Sequence, residues 1–177
     1  WLVAGGLGGR GGRGAVVLAE GGASRLVLTS RGGRVARDGQ GLAARLRGVA
    51  PGGAAAVWVV ACDGSEAGEA TAMQAIAGPL SGVLHTAGVL ADRLVARLSA
   101  QHVAAVMAAK AGGAAHLHAA ASRAPLSVLV LFSSWVATFG SIGQANYAAA
   151  NAWLDAHALL WRSGGATGSS LQLPLVR

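Results

Sequence analysis

Short apolar runs alternate along the chain with longer segments in which apolar and polar residues mix at helical spacing. The runs are nearly continuous, as is typical of strands buried on both faces of a parallel sheet. Six strands are predicted, at residues 1–5, 25–30, 56–63, 80–88, 126–134 and 169–175. Helices are predicted between them, at residues 11–22, 38–47, 66–77, 99–122 (with a break at Gly112-Gly113) and 144–162. This alternation predicts a doubly wound, Rossmann-type α/β sheet with helices on both faces.

The length of the chain suggests one domain. Residues 1–177 suit a single core, and we predict one domain without a linker or internal repeat. The chain opens directly on the apolar run WLVAGG, so we expect it to be a piece of a larger multidomain protein. No run reaches the roughly 18 apolar residues of a membrane span, and we predict no membrane partner. The single cysteine, Cys62, fits a core position in a reducing, cytoplasmic location and offers no metal cluster.

The charge balance raises the question of nucleic acid. The net charge is +7 and the pI is about 11.5, and the segments GGRGGRG (8–14) and SRGGRVARDG (30–39) resemble Arg-Gly RNA-binding segments. Each occurs once, lacks interleaved aromatic residues and lies beside apolar runs. A composition biased towards Gly, Ala and Arg explains the charge more simply, and we predict no nucleic-acid partner.

A glycine-rich turn lies between the first strand and the first helix, in AGGLGGRG (4–11). Gly6, Gly8 and Gly11 fit the spacing G-x-G-x-x-G, and Gly9 lies between them. Glycine at such points allows a tight turn and close approach of the backbone to a pyrophosphate at the helix N-terminus. We therefore predict a dinucleotide site, with an ordinary glycine turn as the alternative.

Three later strand ends would complete that site. Ser30 and Arg31 end the second strand, where a cation favours the 2′-phosphate of NADPH over NADH; a solvated arginine is the alternative. Asp63 follows the third strand and is predicted at the adenine edge, although structural capping is nearly equal. HTAG (85–88) ends the fourth strand, where the backbone of Ala87 and Gly88 would line the cofactor channel. We expect His85 to be a packed, hydrogen-bonded residue.

The segment GQANYAAAN (143–151) holds the only tyrosine, Tyr147. Asn151 follows it at i+4, so both side chains project from one helix face. Ser134 lies 13 residues before Tyr147, at the end of the fifth strand, and Lys110 is the only lysine. A phenol is a poor acid at neutral pH unless a cation stabilises its anion. These residues could converge on a substrate carbonyl; the alternatives are a core tyrosine, a capping serine and a surface lysine.

Seven motifs spread along nearly all of the chain carry a family resemblance, namely GGLGGRG, LVLTSRGG, ACD, GVLHTAGVLAD, AAKAGGAAHLH, VLFSS and GQANYAAANAWLDA. Together they closely resemble the ketoreductase domain of modular polyketide synthases and related multifunctional fatty acid synthases. This family is a branch of the short-chain dehydrogenase/reductase superfamily. Most members of the superfamily carry lysine four residues after the tyrosine. The resembled family carries asparagine there and lysine upstream, as at Asn151 and Lys110.

The resemblance implies an activity and its partners. By it, Tyr147 donates a proton to a β-keto oxygen as hydride arrives from NADPH, and Ser134 hydrogen-bonds the same oxygen. Lys110 would lower the phenol pKa, and Asn151 would hold the geometry of the proton relay. The implied substrate is a β-ketoacyl thioester on the phosphopantetheine arm of an acyl carrier protein, and the product is the β-hydroxyacyl thioester. Neighbouring synthase domains are the other expected partners.

The chain also departs from the family pattern. Ala4 replaces the usual threonine, Arg10 replaces a common leucine, and the ending LQLPLVR lacks the usual Trp-Gly. By the resemblance, the chain also stops before the segment that usually supplies the lid helices and the last strand. We therefore expect a C-terminally truncated fold with an incomplete substrate pocket, and a reductase-fold domain without turnover is the alternative function. Asp92, in LAD, and Phe139, at a position where part of the family has tryptophan, are the expected stereochemical determinants. They favour a D-configured β-hydroxyl group.

Overall fold

The computed structural model describes residues 1–35, 41, 44, 45, 48, 55–121 and 126–174. Within them, six strands form one parallel sheet in the order β3-β2-β1-β4-β5-β6. The strands are β1 (Leu2–Ala4), β2 (Arg25–Ser30), β3 (Ala56–Ala61), β4 (Gly82–His85), β5 (Val128–Ser134) and β6 (Gly168–Leu173). The order reverses between β1 and β4, which opens the crevice where doubly wound sheets bind ligands. The predicted fold class is confirmed.

Helices connect the strands. They are α1 (Gly9–Glu20), α2 (Ala67–Ala77), α3 (Ala100–Met107), α4 (Gly113–Ala121), α5 (Val136–Phe139) and α6 (Ala145–Ser163). The predicted break at Gly112-Gly113 is wrong, because a π-helical turn, Ala108–Gly112, carries the chain from α3 into α4. The helix predicted at residues 38–47 lies largely outside the described residues.

The core has two layers, one on each face of the sheet. Successive residues of a strand point to opposite faces, so Leu2 packs with α2, α4 and α6, whereas Val3 packs with α1. All three residues of β1 are buried, as its near-continuous apolar run predicts. The edge strand β3 differs, since Trp58 is 45% and Val59 51% exposed. Burial on both faces therefore holds best for the central strands.

Two leucines of α6 offer a matched test of this packing. Leu154 is fully buried in the layer of α2, α4 and α6, whereas Leu159 is 58% exposed. Leu154→Ala should lower the free energy of unfolding by about 2–5 kcal/mol, because it removes buried methyl groups and leaves a cavity. Leu159→Ala should change it by about 0.5 kcal/mol or less. Chemical denaturation measures both, and equal losses would contradict the placement of α6.

Candidate active site

The turn between β1 and α1 packs so closely that it needs glycine. Gly5 has a φ of +78°, and a Cβ there would lie 2.7 Å from the Ala87 nitrogen. A Cβ on Gly11 would collide with the Gly5 oxygen and would lie 2.5 Å from Thr86 Oγ1. Thr86 in turn donates to the Ala4 oxygen through Oγ1 at 2.9 Å and through its backbone N–H at 2.8 Å. The start of α1 is therefore held directly against the end of β4.

Close packing constrains only some of the glycines in the predicted motif. A Cβ on Gly6 would lie 2.7 Å from the Val3 oxygen, but one on Gly8 would lie 3.4 Å from the Gly5 oxygen and one on Gly9 would meet nothing within 4 Å. Sequence analysis missed Gly5, which the structure constrains most clearly through its positive φ. The Gly-Gly pair directly after the strand was the available signal.

A cleft runs along the carboxyl ends of the strands, and its first half has a volume of about 390 Å³. This nucleotide half contains most of the predicted cofactor residues; its lining includes Gly5, Gly8, Ser30, Arg31, Asp63, Ala87 and Gly88. Arg34, which sequence analysis did not select, lies in the same wall. Two guanidinium groups therefore border one end of the cleft.

Asp63 has a structural role as well as a place in the cleft. Its Oδ1 accepts hydrogen bonds from the Ser65 hydroxyl at 2.7 Å and the Ser65 N–H at 3.0 Å. The hydroxyl contact is the main reason that the pKa of Asp63 lies below its ordinary value, against the opposing effect of burial. Asp63 therefore holds the turn before α2 without capping that helix, and its place in the cleft lining fits the ligand-facing interpretation.

The second, chemical half of the cleft has a volume of about 430 Å³. It shares its boundary with the nucleotide half, since Gly5, Gly8, Thr86, Gly88 and Val89 line both. Lys110, Ser134 and Tyr147 all line the chemical half, together with Gly9, Gly11 and Arg10. Three side chains selected from well-separated motifs thus border one continuous cavity.

Lys110 projects from the π-helical turn and is 3% exposed. Its Nζ donates to the Phe132 oxygen at 2.9 Å and lies 5.3 Å from the centroid of the Tyr147 ring. Burial, followed by the charge of Arg10, lowers the pKa of Lys110 to about 8, against the opposing charge of Asp155. At neutral pH the group remains mainly an ammonium beside the phenol ring.

Tyr147 lies in the first turn of α6, and two asparagines hold that turn. Asn146 accepts from the Tyr147 N–H at 2.9 Å and donates to the Ala91 oxygen at 3.0 Å and the His102 oxygen at 3.2 Å. Asn151 is fully buried, and its side-chain amide donates to the backbone oxygen of Tyr147 at 2.8 Å. Sequence analysis gave Asn146 no role, because its partners are distant backbone groups.

Ser133 and Asn151 connect the end of β5 to α6, and Ser134 contacts the start of α5. Ser134 is buried, and its Oγ accepts a long hydrogen bond of 3.4 Å from the Val136 N–H. The hydroxyl of the neighbouring Ser133 donates to the backbone oxygen of Asn151 at 3.2 Å. Asn151 Oδ1 has no hydrogen-bond partner among the described residues, so it keeps the capacity to accept a further donor.

Neither of the two expected stereochemical determinants lines the chemical half, but each contacts a residue that does. Asp92 accepts from Gln144 at 3.0 Å, and Gln144 lines this half three residues before Tyr147. Phe139 is 75% exposed and does not line the cleft itself, but its ring centroid lies 5.9 Å from that of Trp135, which does. The structure brings Asp92 near the predicted catalytic residues, whereas Phe139 packs against Trp135, which lines the cleft.

Other expectations concern metals, cysteine and membranes. The part of the chain that the structure describes contains no cluster of three or more metal-ligating side chains. Cys62 is buried in the core, and burial raises the pKa of its thiol. None of the described helices is long and apolar enough to span a bilayer.

Comparison with known proteins identifies the family. A family model described as "KR domain" matches residues 1–177. The chain belongs to the ketoreductase domain family. This domain forms a branch of the short-chain dehydrogenase/reductase superfamily, and the predicted membership is confirmed.

Individual relatives of this ketoreductase domain are large proteins. The chain is 47% identical over 161 residues to polyketide synthase GfsB of Streptomyces halstedii, and it is 45% identical over 173 residues to GfsA of the same organism. These matches cover 89% and 96% of the chain but only 3% and 2% of the relatives. A solved structure entitled "Structure of A-type Ketoreductases from Modular Polyketide Synthase" is 44% identical, with a TM-score of 0.87. That match covers 97% of the chain and 36% of the solved chain.

The glycine turn yields a matched pair of substitutions. Gly11→Ala should destabilise the domain by about 1–3 kcal/mol, because its Cβ would collide with the Gly5 backbone and with Thr86. Gly9→Ala should cost about 0.5 kcal/mol or less, because the space around that Cβ is open. The two variants are compared by thermal and chemical unfolding. Similar behaviour of both would argue against the tight contact between α1 and β4.

Proposed function

We propose that this domain reduces a β-ketoacyl thioester to the β-hydroxyacyl thioester, with NADPH as the reductant. One observation carries the proposal. Lys110, Ser134 and Tyr147 border the chemical half of a cleft whose other half is lined by the glycine turn and by Arg31. A reductase needs a cofactor and a proton donor side by side, and this continuity meets that need.

The residues of the nucleotide half fit a phosphorylated dinucleotide. Gly8 is the N-cap of α1 and lines both halves of the cleft, so the start of this helix borders the cleft, where N–H groups and the helix dipole favour a pyrophosphate. Arg31 and Arg34 would hold the 2′-phosphate that distinguishes NADPH from NADH. When bound, the reduced nicotinamide supplies the hydride.

The residues of the chemical half would supply the proton. Tyr147 would donate its phenolic proton to the β-keto oxygen, while Ser134 donates a hydrogen bond to the same oxygen. Lys110 would stabilise the phenolate left behind, since its ammonium lies against the ring and only one of its three N–H groups is used by Phe132. Asn151 would keep the first turn of α6 in place through its hydrogen bond to the backbone oxygen of Tyr147.

The proposal also covers the partner that carries the acyl group. The relatives are named polyketide synthases, and the chain spans only a few per cent of their length. We therefore propose that the substrate is borne by the phosphopantetheine arm of an acyl carrier protein, among neighbouring synthase domains. The D-configured product stays a prediction, tied to Asp92 and Phe139.

Cofactor choice is tested at Arg31. Arg31→Ala should weaken NADPH binding by about 1.5–3 kcal/mol, because it removes a charge-assisted hydrogen bond to the 2′-phosphate. NADH binding should barely change, and Arg97→Ala, which removes an exposed arginine outside the cleft lining, should affect neither cofactor. Fluorescence titration of both cofactors measures these affinities. An equal loss for NADPH and NADH in Arg31→Ala would remove Arg31 from this role.

The proton donor is tested at Tyr147. Tyr147→Phe removes only the hydroxyl, so turnover of a soluble β-ketoacyl thioester should fall by about 10²- to 10⁴-fold. NADPH affinity and the melting temperature should stay close to those of the unsubstituted protein, which serve as controls. Oxidation of NADPH is followed at saturating substrate. Near-normal turnover in this variant would make Tyr147 a packing residue and would sink the proposed mechanism. Cofactor binding without turnover in the unsubstituted protein would instead favour the inactive alternative.

A further inference from the structure

His85, the last residue of β4, contacts the residue that carries the proposed ammonium. It is 1% exposed, and its Nε2 lies 3.0 Å from the backbone oxygen of Lys110. A carbonyl oxygen only accepts, so Nε2 carries the proton and Nδ1 is the bare nitrogen. Nδ1 is buried without a partner among the described residues. Burial, followed by the charge of Lys110, lowers the pKa of His85 to about 4, so the donor is a neutral imidazole at pH 7.

Lys110 is therefore held both at its backbone oxygen and at its side-chain ammonium. His85 binds its backbone oxygen from the end of β4, and the Phe132 oxygen binds its ammonium from β5. The two strands are hydrogen-bonded neighbours, with His85 in register with Leu131. The imidazole also lies against the start of α4, because a Cβ on Gly113 would come within 3.1 Å of His85 Cε1.

We propose that His85 is a positioning residue that places the ammonium of Lys110 beside Tyr147 by fixing the backbone of the π-helical turn. This inference rests on the proposed function. His85 does not donate a proton to the substrate; it acts through Lys110. A displacement of about 1 Å in a reacting group can cost as much as 10²-fold in rate, so the loss of this anchor should be measurable in turnover.

Two substitutions of similar size separate the hydrogen bond from packing. His85→Gln keeps an N–H donor near the position of Nε2, whereas His85→Met keeps comparable bulk without a donor. His85→Gln should retain turnover within about 3-fold of the unsubstituted domain, and His85→Met should lose about 10- to 100-fold. His85 lines the nucleotide half but is only 1% exposed, so NADPH affinity, measured by fluorescence titration, should stay within about 2-fold in both variants, and the loss should fall in kcat.

A double-mutant cycle tests whether the effect passes through Lys110. In the Lys110→Met background, His85→Met should cause no further loss of the residual turnover, since groups that act as a unit are not additive. His116 provides the matched control, because its Nδ1 lies 3.2 Å from the Gly64 oxygen, another backbone carbonyl. His116→Met should leave turnover unchanged in either background.

The outcomes are distinct. Equal losses in His85→Gln and His85→Met, or a His85→Met loss that multiplies with that of Lys110→Met, would overturn the inference. If His85→Met does not fold, Gly113→Ala replaces it, since its Cβ would press on the ring; its loss of turnover must likewise vanish in the Lys110→Met background, or the inference fails. Full turnover in Lys110→Met alone would remove the proposed role of Lys110, and this inference with it.

Discussion

Burial of a single ammonium group constrains the chemical half of the cleft. Taking a charge out of water is costly unless hydrogen bonds and nearby polar groups compensate. Lys110 receives that compensation from the Phe132 oxygen and from the face of the Tyr147 ring. The neighbouring backbone must also leave room, since a Cβ on Gly88 would lie 3.1 Å from Lys110 Cε. The π-helical turn, the loop after β4 and the first turn of α6 are all arranged around this one side chain.

The parallel sheet explains how distant residues reach one place. The carboxyl ends of β1, β4 and β5 open on the same edge, and the strand order reverses between β1 and β4. Gly5, Thr86 and Ser134 therefore border one cleft although they lie at or just after the ends of three different strands. Buried side-chain hydrogen bonds then set the finer placement: Asn146 ties the start of α6 to α3 and to the loop after β4.

The central strands and the long helix could be predicted because their signals are local. Continuous apolar runs mark the buried strands, and the i, i+4 pair of Tyr147 and Asn151 marks a helix face. The π-helical turn could not be predicted, because nothing in AAKAG separates i→i+5 from i→i+4 bonding. Gly5 was missed because a chain with 28 glycines offers several spacings that fit one motif. The anchoring of Lys110 by His85 depends on tertiary contact alone.

The use of one lysine among thirteen arginines has a physical reason at this position. Arginines elsewhere bind backbone oxygens near the surface, as Arg25 does at Pro79 and Arg10 at Pro174. A guanidinium is planar, larger and permanently charged, whereas an ammonium is compact and carries three donors on one atom. The narrow space beside Gly88 admits the compact group, and the donors not used by Phe132 can face the phenol. Arginine would keep the charge but would bring a larger, planar group against Gly88, so charge alone does not explain why lysine stands there.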